Sequence, residues 1–376
     1  MNKADSVTIP DGILSSDQIR HAFATGYIQA HAELVDGQIQ PASLDLRLSA
    51  KAWRVQTSFL PGAHATVAEK LQTLALHEID LSDGAVLERG CVYLVELQEH
   101  LALPDTLTAI ANPKSSTGRV DVFTRLITDG GIEFESVPAG YHGPLYAEIS
   151  PRTFSVIVRP GTRLSQLRLR AGNGILDDEA LGKLQDDTSL VKLAPGQSGK
   201  ANISQGVGLS VNFEPEDETG LIGWRARKHA GLIDMDKPGL LPKTQFWEKV
   251  TTDDLVAGGL VLNPDEFYIL ASREYVCVPQ DYAAEMSAYD TRAGEFRAHY
   301  AGFFDPGFGI GASGPVHTRA VLEVRSHDVP FLIEQDQIVC RLVYEHMSQS
   351  PDWLYGAAGS GSNYQAQSLK LAKYFI

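Results

Sequence analysis

The feature that most constrains this chain is an internal match at a constant offset of 175 residues. The segment YLVELQEHLALPDTLTAIA, which begins at Tyr93, aligns with YILASREYVCVPQDYAAEM, which begins at Tyr268. The matched pairs are Tyr93 with Tyr268, Glu99 with Glu274, Pro104 with Pro279, Ala109 with Ala284, Glu148 with Glu323 and Leu167 with Leu342. A constant offset over this span indicates two tandem copies of one fold.

The length of 376 residues leaves room for two domains, each with its own core. A loop-like segment rich in Gly, Ser, Pro and Asn lies at residues 193–206. We therefore expect a first domain over residues 1–195 and a second, diverged domain over residues 196–376.

Within each copy, apolar and polar residues alternate with a period of two. The runs YLVELQEHLAL, PLYAEIS and RLSQLRLR have this pattern, and Pro and Gly interrupt them at short intervals. Such alternation is typical of half-buried strands. The sequence therefore predicts a mainly β fold, of barrel or double-sheet type, with a few short helices.

Two segments are predicted to be helical. Ser15 and Gln18 have the spacing of a capping box, and an apolar face follows them. A second helix is expected over VAEKLQTLALHEI, residues 67–79.

Composition excludes several classes of protein. The formal net charge of −15 argues against sequence-independent binding of nucleic acid, which requires a basic surface. No apolar stretch is long enough to span a membrane, and the first residues do not resemble a signal peptide, so we expect a cytoplasmic protein. Cys91, Cys277 and Cys340 lie in apolar runs without a CxxC spacing, and we expect three buried thiols.

Two segments match known functional motifs but lack the sequence context that those motifs require. His31-Ala-Glu33 is half of a zinc-deaminase signature, but the PCxxC that supplies its thiolate ligands is absent. Gly309 to Gly314 satisfies GxGxxG, yet Pro315 and a strand-like run follow it instead of a helix. We expect neither a zinc centre nor a dinucleotide site from these motifs.

Five segments together resemble the dCTP deaminase family, a branch of the dUTPase-like nucleotide enzymes. They are GILSSDQIRHAFATGYI (12–28), PASLDLRLS (41–49), PKSSTGR (113–119), AGYHGPLYAE (139–148) and SNYQAQSLKLAKY (362–374). The resemblance implies dUTPase-like β-barrels of the β-clip type, here in a long tandem form. It also implies hydrolytic deamination of dCTP to dUTP and ammonia without zinc, with Mg²⁺ bound through the substrate triphosphate.

The resemblance assigns catalysis to Glu148, Arg119 and Ser115. A single carboxylate can activate water and then return the proton to the leaving ammonia. We expect burial of Glu148 in its strand to raise its pKa towards neutrality, which suits this role. Arg119 would stabilise charge, and Ser115 would orient the water or the departing amine. The alternative for Glu148 is a strand carboxylate in an ion pair.

The same resemblance assigns substrate binding to six residues. Lys114 and Ser116 would face the triphosphate, Tyr141 would pack on the sugar, and the tail would close over the phosphates. The residues of the tail are Tyr364, Gln367 and Lys370. Tyr141 is nearly as well explained as a core residue. Anion binding by so acidic a chain would need a small basic island, such as Lys114 and Arg119.

Neither copy holds the complete motif set. The first has Pro138-Ala139 where the family has Asp-Pro, and the second keeps Asp305-Pro306 but replaces the serine turn at residues 288–292. Either the copies divide the labour or the second is only structural. The rival functions are a dUTP diphosphatase or a bifunctional enzyme, with Asp305 activating water, and a non-catalytic deoxynucleotide-binding regulator. The family implies a homo-oligomer with threefold or pseudo-threefold symmetry.

Overall fold

The computed structural model describes residues 9–194, 197–215, 217–287, 297–298, 302–312, 314–326, 328–357 and 369–376. The strands of the first half are β1 Gly12–Ile13, β2 Ile28–Ala30, β3 Leu44–Val55, β4 Ala75–Asp80, β5 Ala85–Leu87, β6 Val92–Ala102, β7 Leu107–Pro113, β8 Val122–Thr128, β9 Ser136–Val137, β10 His142–Pro151, β11 Val156–Val158 and β12 Arg163–Ala171. Its helices are α1 Ser16–Ala24, α2 Val67–Leu74 and α3 Ser115–Gly118.

A fourth helix, α4 Asp178–Thr188, leads into the second half. The strands there are β13 Val191–Ala194, β14 Gln197–Ser198, β15 Val207–Ser210, β16 Leu221–Ala226, β17 Ile233–Asp234, β18 Trp247–Thr251, β19 Gly259–Leu262, β20 Phe267–Val276, β21 Tyr282–Ser287, β22 Arg297–Ala298, β23 Gly302–Phe304, β24 Ile310–Gly311, β25 Gly314–Pro315, β26 Thr318–Arg325, β27 Phe331–Glu334 and β28 Ile338–His346. A short helix α5 Lys243–Phe246 and a 3₁₀ turn at Thr252–Asp254 lie between them. The predicted mainly β class is therefore confirmed.

The two halves pair their strands in the same register. In the first half, β6 lies beside β10 with Leu94 opposite Glu148. In the second half, β20 lies beside β26 with Ile269 opposite Glu323. Both members of the second pair stand 175 positions after those of the first. Each glutamate therefore occupies the same place on its own sheet.

The larger of the two main hydrophobic cores contains residues from both halves of the chain. The larger core combines strands of the first half with Trp224, Trp247 and Phe267 of the second half, and with Tyr374 of the tail. A separate core fills the second half and already contains Leu176, which precedes the expected boundary at residue 195. The domain boundary stays a prediction. The shared apolar core ties the two copies together.

The predicted helices are found with one correction. Helix α1 begins at the predicted place, where the amide of Ser15 donates to Oε1 of Gln18 at 2.9 Å. Helix α2 ends at Leu74, because residues from Ala75 onwards form β4 and pair with the long strand β3. Pairing with an exposed strand edge overrides the helical preference of this segment. Cys277 and Cys340 are buried as expected, whereas Cys91 is only half-buried.

The glycine-rich motif at Gly309 is a tight turn. Gly309 has φ +68°, and a Cβ there would lie 2.3 Å from the carbonyl oxygen of Val276. The described residues that follow it pair as β24 with β25. A strand pair thus lies where a dinucleotide-binding fold would have a helix.

We predict that Gly309→Ala destabilises the protein by about 1–3 kcal/mol from backbone strain alone, with a further cost from the overlap with Val276. Chemical denaturation measures the free energy of unfolding. The matched control is Gly182→Ala in α4, where an added Cβ meets nothing within 4 Å. That change should stabilise by about 0.5–1 kcal/mol. An unchanged stability for Gly309→Ala would contradict this account of the turn.

Candidate active site

The serine turn of the first copy is fixed by its backbone. It connects the end of β7 to the start of β8 through α3. The amide of Lys114 donates to the carbonyl of Leu164 on β12 at 2.9 Å, which anchors the turn to the sheet. Ser116 and Arg119 are buried, whereas Lys114 and Ser115 are partly exposed. The turn thus presents Lys114 and Ser115 at its accessible edge.

Arg119 extends from this turn to the second copy. Its Nε lies 3.9 Å from Oε1 of Glu323, and both side chains are more than nine-tenths buried. Its Nη1 donates to the carbonyl oxygen of Lys370 in the tail at 2.7 Å. One guanidinium therefore joins the serine turn, the glutamate strand of the other copy and the C-terminal tail.

Glu323 lies in the middle of β26, every residue of which is buried. Burial raises the pKa of Glu323 to about 7, and the positive charge of Arg119 acts in the opposite direction. A carboxyl group whose pKa is near neutrality can both accept and return a proton at physiological pH.

A second contact between the copies holds this pair in place. Arg325, two residues along β26, forms a buried ion pair with Asp121 and donates to Oγ1 of Thr153 at 2.9 Å. Asp121 follows the serine turn and adopts φ +56°, which is uncommon outside glycine. The turn and β26 are thus fixed against each other at two points.

A basic cluster lies beside the turn, and we use this name for Lys114, Arg163 and Lys373. The carboxylate of Asp45 contacts Lys114 at 2.5 Å and Arg163 at 3.4 Å. Burial lowers the pKa of Lys373, and the positive charges of Lys114 and Arg163 lower it further. Three cations so close to one another favour an anionic ligand.

Glu148 occupies the equivalent place on the first copy, with different neighbours. It is buried and forms an ion pair with Arg125, whose Nε donates to its Oε1 at 3.1 Å. The ring of Phe134 stacks on the same guanidinium, 3.7 Å from the ring centre. Burial raises the pKa of the adjacent Glu135 to about 8. The observed ionic partner of Glu148 is therefore Arg125, and that of Arg119 is Glu323.

The remaining predicted residues have varied surroundings. Tyr141 packs in the larger core, and its hydroxyl donates to the carbonyl oxygen of Pro144 at 2.6 Å. The side chain of Lys370 is exposed while its carbonyl contacts Arg119. Tyr364 and Gln367 lie outside the described residues. The roles of these four residues in substrate binding stay predictions.

Sequence reasoning did not single out Glu323, Arg163 or Lys373 as site residues, although the structure places all three here. The repeat could have identified Glu323, because this residue stands 175 positions after Glu148. Only the fold shows that Glu323 lies beside Arg119. No sequence pattern identifies Lys373, because nothing in the tail distinguishes it from Lys370. Asp45 stands within the segment PASLDLRLS, and the structure gives it a contact with Lys114.

Two halves made mainly of β-strands meet at a buried carboxyl, a guanidinium and a basic cluster, which is a site suited to an acid–base reaction on an anionic substrate. Two family models match, those of the "2'-deoxycytidine 5'-triphosphate deaminase (DCD)" N-terminal domain over residues 10–173 and C-terminal domain over residues 177–375. Together they cover nearly the whole chain. The chain therefore belongs to the dCTP deaminase family.

Individual relatives agree with this assignment. A solved structure of the 2'-deoxycytidine 5'-triphosphate deaminase from Agrobacterium tumefaciens is 52% identical, covers 90% of this chain and 99% of its own, and superposes with a TM-score of 0.85. The dCTP deaminase of Halorubrum lacusprofundi is 31% identical over 41% of this chain and 75% of its own length. The "dCTP deaminase, dUMP-forming" of Methanothermobacter thermautotrophicus is 29% identical over 35% and 66%.

The described residues contain no helix that is long and apolar enough to cross a membrane.

Proposed function

We propose that this protein deaminates dCTP to dUTP and ammonia at the composite site between its two copies. The observation that carries the proposal is the position of Glu323, a buried carboxyl with a pKa of about 7, at 3.9 Å from Arg119. The family assignment supplies the substrate class, and the site supplies an acid–base group for the reaction.

The reaction needs one group that moves a proton twice. Ionised Glu323 accepts a proton from water while the water oxygen bonds to C4 of cytosine. It passes this proton to ring nitrogen N3. Glu323 then takes the proton of the new C4 hydroxyl and delivers it to the amino nitrogen, so that the C4–N bond breaks, ammonia leaves, and a carbonyl at C4 and a proton on N3 remain. Arg119 stabilises the charge that develops, and Ser115 orients the water. The residues proposed for this chemistry include no imidazole or thiolate, the usual ligands of zinc.

The basic cluster is suited to the triphosphate. Lys114, Arg163 and Lys373 supply positive charge, and Ser116 adds a hydroxyl in the same turn. We propose that Mg²⁺ is bound through the phosphates and that the tail residues Tyr364, Gln367 and Lys370 close over them. Because Arg119 already contacts the backbone of Lys370, closure of the tail would be coupled to the catalytic pair.

Product analysis tests the proposal. The purified protein is incubated with dCTP and Mg²⁺, and ammonia and nucleotides are followed together. We expect ammonia and dUTP in equal amounts. Binding of dCTP without release of ammonia would contradict the proposal and favour a regulator.

The pKa of Glu323 predicts the pH dependence of the reaction. Since water activation needs the ionised form, which is lost as the pH falls through about 7, kcat/KM should rise across that region and level off above it. Measurement from pH 5 to 9 at constant ionic strength checks this. A profile that stays flat below pH 7 would contradict the assigned role.

A bifunctional, dUMP-forming enzyme is the second candidate, because several relatives carry that description. The residue that would activate water for phosphate cleavage is Asp305. Its carboxylate contacts Nη2 of Arg168 at 2.8 Å, and both side chains are buried. A hydrogen bond from Arg168 thus occupies the carboxylate of Asp305, whereas the 3.9 Å between Nε of Arg119 and Oε1 of Glu323 exceeds hydrogen-bond length. We therefore favour dUTP as the product, and the appearance of pyrophosphate would reverse this choice.

We retain two further expectations as proposals. The chain assembles into a homo-oligomer with threefold or pseudo-threefold symmetry, which mass measurement in solution tests. The protein acts in the cytoplasm, which fractionation of cells followed by detection of the protein tests.

A further inference from the structure

We propose that His31, Glu96 and His100 form a binding site for a divalent transition-metal ion of the zinc class, separate from the deamination site. One potential ligand atom from each side chain lies within 4.8 Å of the others. His31 directly follows β2, while Glu96 and His100 belong to β6.

A bulge in β6 creates this convergence. Residues four positions apart on a regular strand are separated by about 13 Å, too far to share one ion. On β6, however, Glu96 lies opposite Tyr146 and His100 lies opposite Pro144, so four steps on β6 match two on β10. The extra residues bend the strand and bring the two side chains together.

The third side chain is held over the bulge by the backbone. The amide of His31 donates to the carbonyl of Gln98 at 3.0 Å, in the middle of the bulge. Arg47 then fixes the next two residues by donating to the carbonyls of Ala32 and Glu33, at 3.0 and 2.7 Å. The imidazole of His31 consequently packs edge-on against that of His100, with ring centres 4.3 Å apart.

The three side chains of the cluster are available to a ligand. Within the part of the chain that the structure describes, none of them forms a hydrogen bond or an ion pair. The bulge thus brings together three polar side chains that lack hydrogen-bond partners among the described residues. Such side chains can bind one ligand together. Their exposure is compatible with entry of an ion from solvent, since His31 is exposed and the others are half-buried.

The donor set selects the metal. Two imidazole nitrogens and one carboxylate oxygen suit Zn²⁺ with water in the fourth position, whereas Mg²⁺ and Ca²⁺ prefer oxygen alone. A bound ion would link the segment after β2 to β6. We therefore expect it to increase the thermal stability of the protein. Glu33 is not among the proposed ligands. The site therefore differs from the zinc-deaminase centre to which the His31-Ala-Glu33 motif would belong.

Calorimetric titration of the chelator-treated, full-length protein with zinc chloride tests the proposal. We expect one ion per chain, a higher Tm in the presence of zinc, and affinity at least about tenfold weaker in His100→Ala and in His31→Ala. The matched controls are His21→Ala and His142→Ala, two exposed histidines outside the cluster, which should bind like the wild type.

Glu96→Gln provides a second check, because it keeps the shape of the side chain and removes its charge. Circular dichroism without metal establishes that each variant is folded. Absence of stoichiometric zinc binding by the wild type would overturn the proposal. Equal affinity in the wild type, His31→Ala and His100→Ala would overturn it as well.

Discussion

Glu323→Gln should lower kcat for dCTP deamination by about 10²–10⁴-fold, the usual contribution of a general acid–base group. The variant keeps the shape of the side chain and loses the proton-accepting carboxylate. Because Arg119 and the basic cluster remain, dCTP should still bind with a similar Kd. Ammonia release measures the first quantity, and calorimetric titration with dCTP measures the second.

Glu148→Gln is the matched control, since the two glutamates hold equivalent positions on the two copies. In the structure Glu148 pairs with Arg125, so this variant should keep kcat within a few-fold of the wild type. Thermal denaturation of both variants separates loss of chemistry from loss of fold. The opposite pattern, with Glu148→Gln inactive and Glu323→Gln active, would return catalysis to the residue that the sequence alone suggested.

Arg168→Met should reduce the free energy of unfolding by about 3–5 kcal/mol, as removal of one partner from a buried ion pair generally does. Arg168 is completely buried. It pairs with Asp305 and donates to the carbonyl oxygens of Ala284 and Phe304, at 2.9 and 3.0 Å. Methionine fills a similar volume but leaves these groups of the second copy unsatisfied. Chemical denaturation provides the measurement.

Arg20→Ala is the control for this prediction. Arg20 forms an ion pair with Asp17 at 2.6 Å, with about half of each side chain exposed. Exposed pairs contribute less than about 1 kcal/mol, so the change in stability should be small. Equal effects of the two substitutions would show that Arg168 does not hold the copies together.

Much of the fold follows from local pattern. Alternation predicted the strands around Tyr93 and Glu148, and the spacing of Ser15 and Gln18 predicted the start of α1. The constant offset anticipated that Leu94 with Glu148 would recur as Ile269 with Glu323. These features depend on neighbours in sequence or on pairing within one copy, which residue periodicity records directly.

The arrangement between copies could not be predicted in this way. A repeat shows that two glutamates are equivalent, but it does not show which one meets Arg119. That choice depends on how the sheets pack, through contacts such as Arg325 with Asp121. The end of α2 at Leu74 has a similar cause, because it depends on the free edge of β3. The bulge that gathers Glu96 and His100 also leaves no trace in the alternation.

The most direct test of the central claim is a crystal structure of Glu323→Gln with dCTP and Mg²⁺ bound. The account predicts that N3 or the amino nitrogen of cytosine lies within hydrogen-bond distance of the side chain of residue 323, about 2.6–3.2 Å directly or for each step through one water. The triphosphate should then contact Lys114, Arg163 and Lys373. Cytosine bound beside Glu148 and Arg125 instead would contradict the claim that the two copies build one composite site.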